Sequence, residues 1–279
     1  MQHGSRRAVT RRFRSVHALD SPSRKHRVGH TASVDQVRAW SAYGDSWWVQ
    51  GGLRAHRGGG REELPGVRLS ASGLPARQWN NGDVDIAATV DVDQIRDWYA
   101  GLGLPWGVRV PAGSVWKWGE RVFHGRMMGL DKDRFRPAAG PDPLTMRAAG
   151  PADLPHVAHV DQAAFGGQLE LTRAWLDPHV QPGPVTTFIA SLGDHPVATG
   201  YLVRADGRAG PTGCLGGVGV IPEARRRGIG LALSSRLVAH ALNTGAELIV
   251  LSPDTASAAD LYRRLGFTEI PGFDVYVDP

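Results

Sequence analysis

Hydrophobic and polar positions in the second half of the chain alternate between strand patterns and helix patterns. Strands are predicted at Leu144–Ala148, Thr186–Leu192, Val197–Val203, Cys214–Ile221, Glu247–Leu251 and Thr268–Val277. Helices are predicted after Pro151 and at Leu171–Leu176, Gly228–Asn243 and Ala256–Leu265. Strands that alternate with helices in this way indicate an α/β fold with a mixed sheet.

The first half has a less regular pattern, which predicts a smaller α/β domain. Apolar residues at helical spacing begin at Val34, and turns are predicted at Gly44-Asp45 and Asn81-Gly82. The further elements predicted here are a strand at Gly66–Leu69, a strand at Val84–Ala87, a helix at Val92–Leu102, a strand at Trp106–Val110 and a helix and turn at Val122–Leu130.

Composition divides the chain into four segments. Residues 1–30 are predicted to be a basic, disordered tail and residues 31–130 an N-terminal α/β domain. Residues 131–143, with the sequence DKDRFRPAAGPDP, have the composition of a linker, and residues 144–279 form the second domain. We therefore expect two domains joined near residues 131–143.

Charge is concentrated in the tail. Residues 1–30 contain eight Lys or Arg and one acid, a net charge of +7, so the other 249 residues carry −2 of the total of +5. A basic tail is compatible with nucleic-acid contact or a transit peptide, but like-charge runs are usually solvated extensions. Because the body is near neutral, nucleic-acid binding is not expected.

Several protein classes are disfavoured by the composition. The single cysteine, Cys214, permits no intramolecular disulfide and no cysteine-rich zinc site, and we expect no metal site. No apolar stretch approaches the roughly 18 residues that span a bilayer, and no signal peptide is visible. We expect a soluble cytoplasmic protein without membrane partners, and a homodimer stays open.

The stretch from Val218 to Gly230 has the pattern of an anion site. A strand ends, a short loop follows, and a long helix begins at Gly228 and Gly230. The first N–H groups of a helix lack partners and carry partial positive charge, so they bind phosphates readily. Glycine lets a phosphate approach the backbone, and three arginines add positive charge to the loop. A diphosphate would suit this site.

Two motifs resemble signatures of the GNAT acetyltransferase superfamily. Arg225-x-x-Gly228-x-Gly230 is similar to the acetyl-CoA signature, and Ala259-Asp260-Leu261-Tyr262 with Gly266-Phe267 is similar to the second one. The resemblance covers about residues 144–279. It implies a mixed sheet, acetyl-CoA as co-substrate, and transfer of the acetyl group to a primary amine of a small molecule or a protein.

The resemblance also implies which residues form the site. Pantetheine would pair with the backbone edge of Val218, Gly219 and Val220, and Tyr262 would protonate the departing thiolate. The diphosphate would be held by the backbone of the loop and helix start, whose residues are Arg225, Arg226, Arg227, Gly228, Ile229, Gly230 and Leu231. Thr255 stands where many members have an Asn that touches CoA.

The sequence departs from the family at the general base. Many members carry a Glu on the strand before the loop, but residues 213–221 contain no acid. Asp161, Asp254, Asp274 or water molecules are alternatives. His156 and His159 are expected to be exposed or structural.

The first half resembles a degenerate GNAT half-domain in its Pro105-Trp106 strand and its Met128-Gly129-Leu130 element. No CoA signature is visible in residues 31–140, so this domain is expected to be non-catalytic. Two alternatives to acetyl transfer stay open: a transferase that uses another acyl-CoA, and a CoA-binding regulator without turnover.

Overall fold

Eleven strands join into one mixed sheet in the computed structural model, which describes residues 34–278. The strands are β1 Gly60–Leu64, β2 Val67–Ala71, β3 Asn81–Val84, β4 Gly107–Pro111, β5 Glu120–Asp131, β6 Leu144–Ala148, β7 Val185–Leu192, β8 His195–Gly207, β9 Gly210–Val220, β10 Leu248–Leu251 and β11 Thr268–Val277. The α-helices are α1 Gln36–Leu53, α2 Val92–Leu102, α3 Leu154–Phe165, α4 Leu169–Leu176, α5 Ile229–Asn243 and α6 Ala256–Arg264. The predicted tail, residues 1–30, lies outside the described residues.

The sheet order is β1-β2-β3-β4-β11-β5-β10-β9-β8-β7-β6. Two pairs of strands are parallel, β3 with β4 and β9 with β10, and each pair is connected through a helix, α2 or α5. The other neighbours are antiparallel. The mixed α/β class predicted from the sequence is confirmed.

The two halves of the chain exchange their last strands. β5, from the first half, lies between β11 and β10, and β11 also pairs with β4. The two predicted domains therefore share one sheet, because each of these strands pairs its backbone on both edges with strands of the other half. Residues 131–143 connect β5 to the far edge strand β6 within one sheet.

The repeated order of meander, helix and parallel strand is nevertheless common to both halves. β1, β2 and β3 precede α2 and β4 as β7, β8 and β9 precede α5 and β10. The assignment of residues 31–130 to a degenerate GNAT-like unit stays a prediction, supported by this connectivity.

The turn predicted at Gly44-Asp45 is wrong, because α1 continues through both residues. A Cβ on Gly44 would lie 2.5 Å from the guanidinium of Arg68, so glycine makes room for that side chain. The carboxylate of Asp45 accepts from Arg68 at 2.6 Å and from the amide of Ala209 at 2.9 Å. Tertiary contacts thus override the local turn signal.

Three further local predictions in the first half are wrong. The strand predicted at Val84–Ala87 is limited to Val84, the last residue of β3, because the next two amides both donate to the carbonyl of Gly66. Asn81-Gly82 lies in β3, where a Cβ on Gly82 would meet Leu69 at 2.9 Å, so the glycine allows close packing. Residues Val122–Leu130 belong to β5, a strand paired on both edges. Short apolar runs suit either a buried strand or a helix, and here sheet pairing decides.

Helices cover both faces of the sheet. Residues of α5 and α6 pack with Met128, Leu202 and Ile249 in the largest core cluster. On the opposite face, α1 packs on Met127 and Val203, and α3 and α4 pack on Ile189. Among residues 34–278, no helix is both long enough and apolar enough to cross a bilayer.

Candidate active site

The parallel strands β9 and β10 separate at their carboxyl ends. β10 pairs with β9 only over Thr212–Cys214, whereas the ladder between β9 and β8 continues to Val220. The β9 edge that faces β10 is therefore outside the β9–β10 ladder at Val218, Gly219 and Val220. This opening lies where the family resemblance implies that pantetheine pairs with the strand.

A bulge in β9 lies beside the opening. Tyr201 of β8 is opposite Gly216 and Thr199 is opposite Gly219, so β9 contains an extra residue in this interval. Gly217 has φ +58°, which is in the left-handed region that glycine adopts without strain. The bulge redirects the strand at the point where it leaves β10.

The loop after β9 leads to the exposed N-terminus of α5. Gly228 is the N-cap residue with φ +80°, and no side chain caps the helix. A Cβ built on Gly228 would meet no atom within 4 Å, so the space above this residue is open. N–H groups of a first helical turn have no intrahelical partners, and here they face a site suited to an anion.

The three arginines of the loop differ in their contacts. Arg225 donates from Nε to the carbonyl of Val220 at 3.0 Å and from Nη2 to that of Ala164 at 2.9 Å. This side chain therefore fastens the loop to α3. Arg226, at φ +64°, and Arg227 are exposed and supply positive charge beside the start of α5.

Tyr262 lies on α6 and is only 8% exposed. Burial and, to a smaller extent, the charge of Asp254 raise the pKa of this phenol to about 12. The nearby Ser234 hydroxyl lowers the pKa of Tyr262, although the two hydroxyl groups do not meet hydrogen-bond geometry. The ring also packs edge-on against Phe267 with centroids 5.7 Å apart. Tyr262 is thus a protonated phenol at neutral pH.

Thr255 is the N-cap residue of α6. Its Oγ1 accepts a hydrogen bond from the amide of Ala258 at 3.1 Å. The hydroxyl therefore serves the helix start, at the position where the resemblance implies a contact with CoA.

The three carboxylates considered as a base lie in different places. Asp254 is exposed in the segment between β10 and the N-cap of α6. The Oδ2 atom of Asp161, on α3, lies 3.7 Å from an ideal Cβ on Gly217, beside the opening. Asp274 on β11 is 2.9 Å from His124 and 3.6 Å from Arg121. His156 and His159 are both exposed on α3.

Sequence reasoning missed Tyr201, His179 and Arg54. The ring of Tyr201 lies against Gly216 and Gly217, and His179 packs on Tyr201 with centroids 4.5 Å apart. The only sequence signal was the glycine run in β9, which requires large side chains on a neighbouring strand to fill the space.

Arg54 of α1 extends this group from the first half of the chain. It is 1% exposed and lies 3.1 Å from Nε2 of His179, while it donates to the carbonyl of Trp175 at 2.6 Å. Arg54, His179 and Tyr201 together form a wall beside the β9 bulge, and the first half of the chain supplies Arg54. Within residues 34–278, no cluster of three or more His, Cys, Asp or Glu side chains is arranged to hold a metal ion.

Comparisons with known proteins also indicate an acetyltransferase fold. The model of the acetyltransferase (GNAT) family matches residues 156–267. A mycothiol acetyltransferase of Thermobispora bispora is 29% identical over 230 residues, which cover 79% of this chain and 70% of that protein.

Solved structures share the fold. A GCN5-related N-acetyltransferase from Kribbella flavida superposes with a TM-score of 0.65 at 17% identity, covering 86% of this chain and 95% of the other. A GCN5-related N-acetyltransferase from Sphaerobacter thermophilus gives a TM-score of 0.50 at 20% identity, covering 76% of each chain. The family model therefore identifies a GNAT acetyltransferase domain at residues 156–267, and the solved structures share the fold of the chain.

Proposed function

We propose that this protein transfers the acetyl group of acetyl-CoA to a primary amine of a small molecule or a protein. The observation that carries the proposal is the uncapped N-terminus of α5 beside the β9 edge that β10 leaves open. The GNAT domain at residues 156–267 supports the same reaction class.

The residues around the opening fit acetyl-CoA. The edge of Val218, Gly219 and Val220 would pair with the amide groups of pantetheine. The backbone N–H groups from Arg226 to Leu231 would hold the diphosphate, and the open space above Gly228 leaves room for it. When bound, the thioester supplies the activated acetyl group.

Tyr262 would donate a proton to the sulfur that leaves. Its raised pKa keeps the hydroxyl protonated at neutral pH, as a general acid requires. A thiol has a pKa near 8.5, so its thiolate can leave unaided. This donor would therefore accelerate the reaction without being indispensable.

The direct experiment measures release of the CoA thiol from acetyl-CoA with a panel of amines, and the mass of the acetylated product. The panel includes small amines, peptides with a lysine or a free N-terminus, and amines related to mycothiol, because the relative from Thermobispora bispora bears that name. We expect thiol release that requires both the protein and one class of amine.

Two other results would replace this proposal. Tight binding of acetyl-CoA with no acetylated product from any amine would favour a CoA-binding regulator. Faster thiol release with a longer acyl-CoA than with acetyl-CoA would favour a different acyl donor. The cytoplasmic location and the homodimer considered from the sequence stay predictions, and sedimentation of the purified chain tests the second.

A further inference from the structure

The glycine run of β9 leaves space that side chains from two neighbouring elements fill. An ideal Cβ on Gly216 would lie 2.7 Å from the hydroxyl of Tyr201. One on Gly217 would lie 2.6 Å from the ring of Tyr201 and 3.7 Å from Oδ2 of Asp161. A phenol from β8 and a carboxylate from α3 therefore approach the segment of β9 that itself carries no acid.

The position of these groups relative to Tyr262 is informative. Tyr201 packs in the cores under α1, α3 and α4, whereas Tyr262 belongs to the core under α5 and α6 on the opposite face of the sheet. Gly217 immediately precedes the β9 edge that is outside the β9–β10 ladder. The opening thus has Asp161 on one face and Tyr262 on the other.

We propose that Asp161 accepts the proton of the incoming ammonium and that Tyr201 is its positioning residue. This inference rests on the proposed acetyl transfer. Asp161 takes one proton from the ammonium, and the freed lone pair of nitrogen forms the C–N bond with the acetyl carbon. As the C–S bond breaks, Tyr262 protonates sulfur and nitrogen loses its second proton to solvent. Solvent then gives a proton to Tyr262, and Asp161 gives its proton to solvent. Nitrogen has lost two protons and sulfur has gained one, so one proton is released in each turnover.

The surroundings of Tyr201 suit a positioning role. Burial raises the pKa of Tyr201, and the charge of Asp161 contributes to the shift, so the phenol keeps its proton. Tyr201 and Asp161 both lie against Gly217, so the phenol is placed near the carboxylate. Behind it, burial and the charge of Arg54 hold the pKa of His179 well below its usual value. His179 is therefore a neutral ring that fixes the position of Tyr201 without adding charge.

Asp161→Asn tests the proposal because it keeps the size of the side chain and removes its charge. General acid–base catalysis contributes about 10²–10⁴-fold, and we expect kcat to fall in that range with an alkylamine of pKa about 10.4. The loss should be at least about tenfold smaller with an α-amine of pKa about 8, because much of that amine is already neutral at pH 8. Acetyl-CoA affinity, measured by calorimetry, should stay unchanged.

Three variants complete the test. Asp274→Asn removes a carboxylate on β11 that pairs with His124, and it should leave kcat unchanged. Asp161→Glu keeps a carboxylate and should retain more activity than Asp161→Asn. Tyr201→Phe should lower kcat and add nothing further in combination with Asp161→Asn, because it acts through that residue.

The outcomes separate the two proposals. A wild-type chain that acetylates no amine removes the proposed function and this inference with it. An active wild-type chain with an unchanged kcat for Asp161→Asn leaves the function and overturns the base. Equal losses with both amines would also overturn it, since a purely structural role does not depend on the pKa of the amine.

Discussion

Two glycines at the ends of α5 provide a matched test of the diphosphate site. Gly228 has φ +80° at the start of the helix, and Gly245 has φ +91° just beyond its end. A Cβ on either residue would meet no atom within 4 Å. Gly228→Ala and Gly245→Ala therefore impose the same backbone strain without a clash inside the protein.

The expected effects on stability follow from the backbone. A non-glycine residue in the left-handed region costs about 1–2 kcal/mol, and alanine returns about 0.4–1 kcal/mol by restricting the unfolded chain. Each substitution should lower the free energy of unfolding by about 1 kcal/mol. Chemical denaturation of the two variants should give nearly equal values.

Binding should separate the two variants. The methyl group at position 228 would enter the space proposed for the diphosphate, whereas the one at position 245 lies at the far end of the helix. We expect Gly228→Ala to weaken acetyl-CoA binding at least tenfold, which is about 1.4 kcal/mol, and Gly245→Ala to leave it unchanged. Calorimetric affinities that are equal for the two variants would refute the assignment of this loop.

Three further predictions concern the phenol and two ion pairs. Tyr262→Phe should lower kcat by about 10²–10⁴-fold with little change in acetyl-CoA affinity, and ionisation of Tyr262, whose pKa is about 12, should not limit the wild-type rate near neutral pH; an unchanged kcat would make it a packing residue. Hydrogen bonds from Arg147 lower the pKa of Asp153 to about 2, below its unfolded value near 3.9, so their stabilisation is present above pH 4 and lost toward pH 2. Asp153→Asn should cost at most about 1 kcal/mol at pH 7, because Arg147 is exposed, and a stability gap that persists at pH 2 would contradict this origin. Asp45→Asn should cost about 3 kcal/mol or more in denaturant unfolding because it leaves Arg68 buried without its closest carboxylate, and the double variant with Arg68→Met should recover part of that loss.

The second half of the chain was predictable because its local signals agree with its packing. The strand before the loop, the glycines at the start of α5, and the stripe of α6 each follow from spacing and from the chemistry of helix ends. The role of Tyr262 was predicted from its motif and stays a prediction, to which the structure adds that the phenol is buried.

The first half was harder to predict because several of its glycines are explained by contacts with residues distant in the sequence. Gly44 accommodates Arg68, and Gly125 lies against the ring of Phe273 on β11, 2.4 Å from an ideal Cβ. Neither partner is near in sequence, so turn and helix signals were misleading at both positions. The exchange of β5 and β11 likewise depends on pairing between residues more than a hundred positions apart.

The wall beside the β9 bulge could not be predicted for the same reason. Arg54 and Trp175 are 121 positions apart in the chain, yet the guanidinium lies 4.0 Å from the centre of the indole ring. The sequence shows a glycine run in β9, but only the fold shows that Tyr201 and Asp161 fill the space it leaves.

A crystal structure of the protein grown with acetyl-CoA would show whether the co-substrate occupies the opening between β9 and β10. We expect the diphosphate on the backbone N–H groups between Arg226 and Leu231, and pantetheine along Val218 to Val220 with the thioester between Asp161 and Tyr262. Acetyl-CoA bound elsewhere on the chain, or absent at saturating concentration, would contradict this expectation.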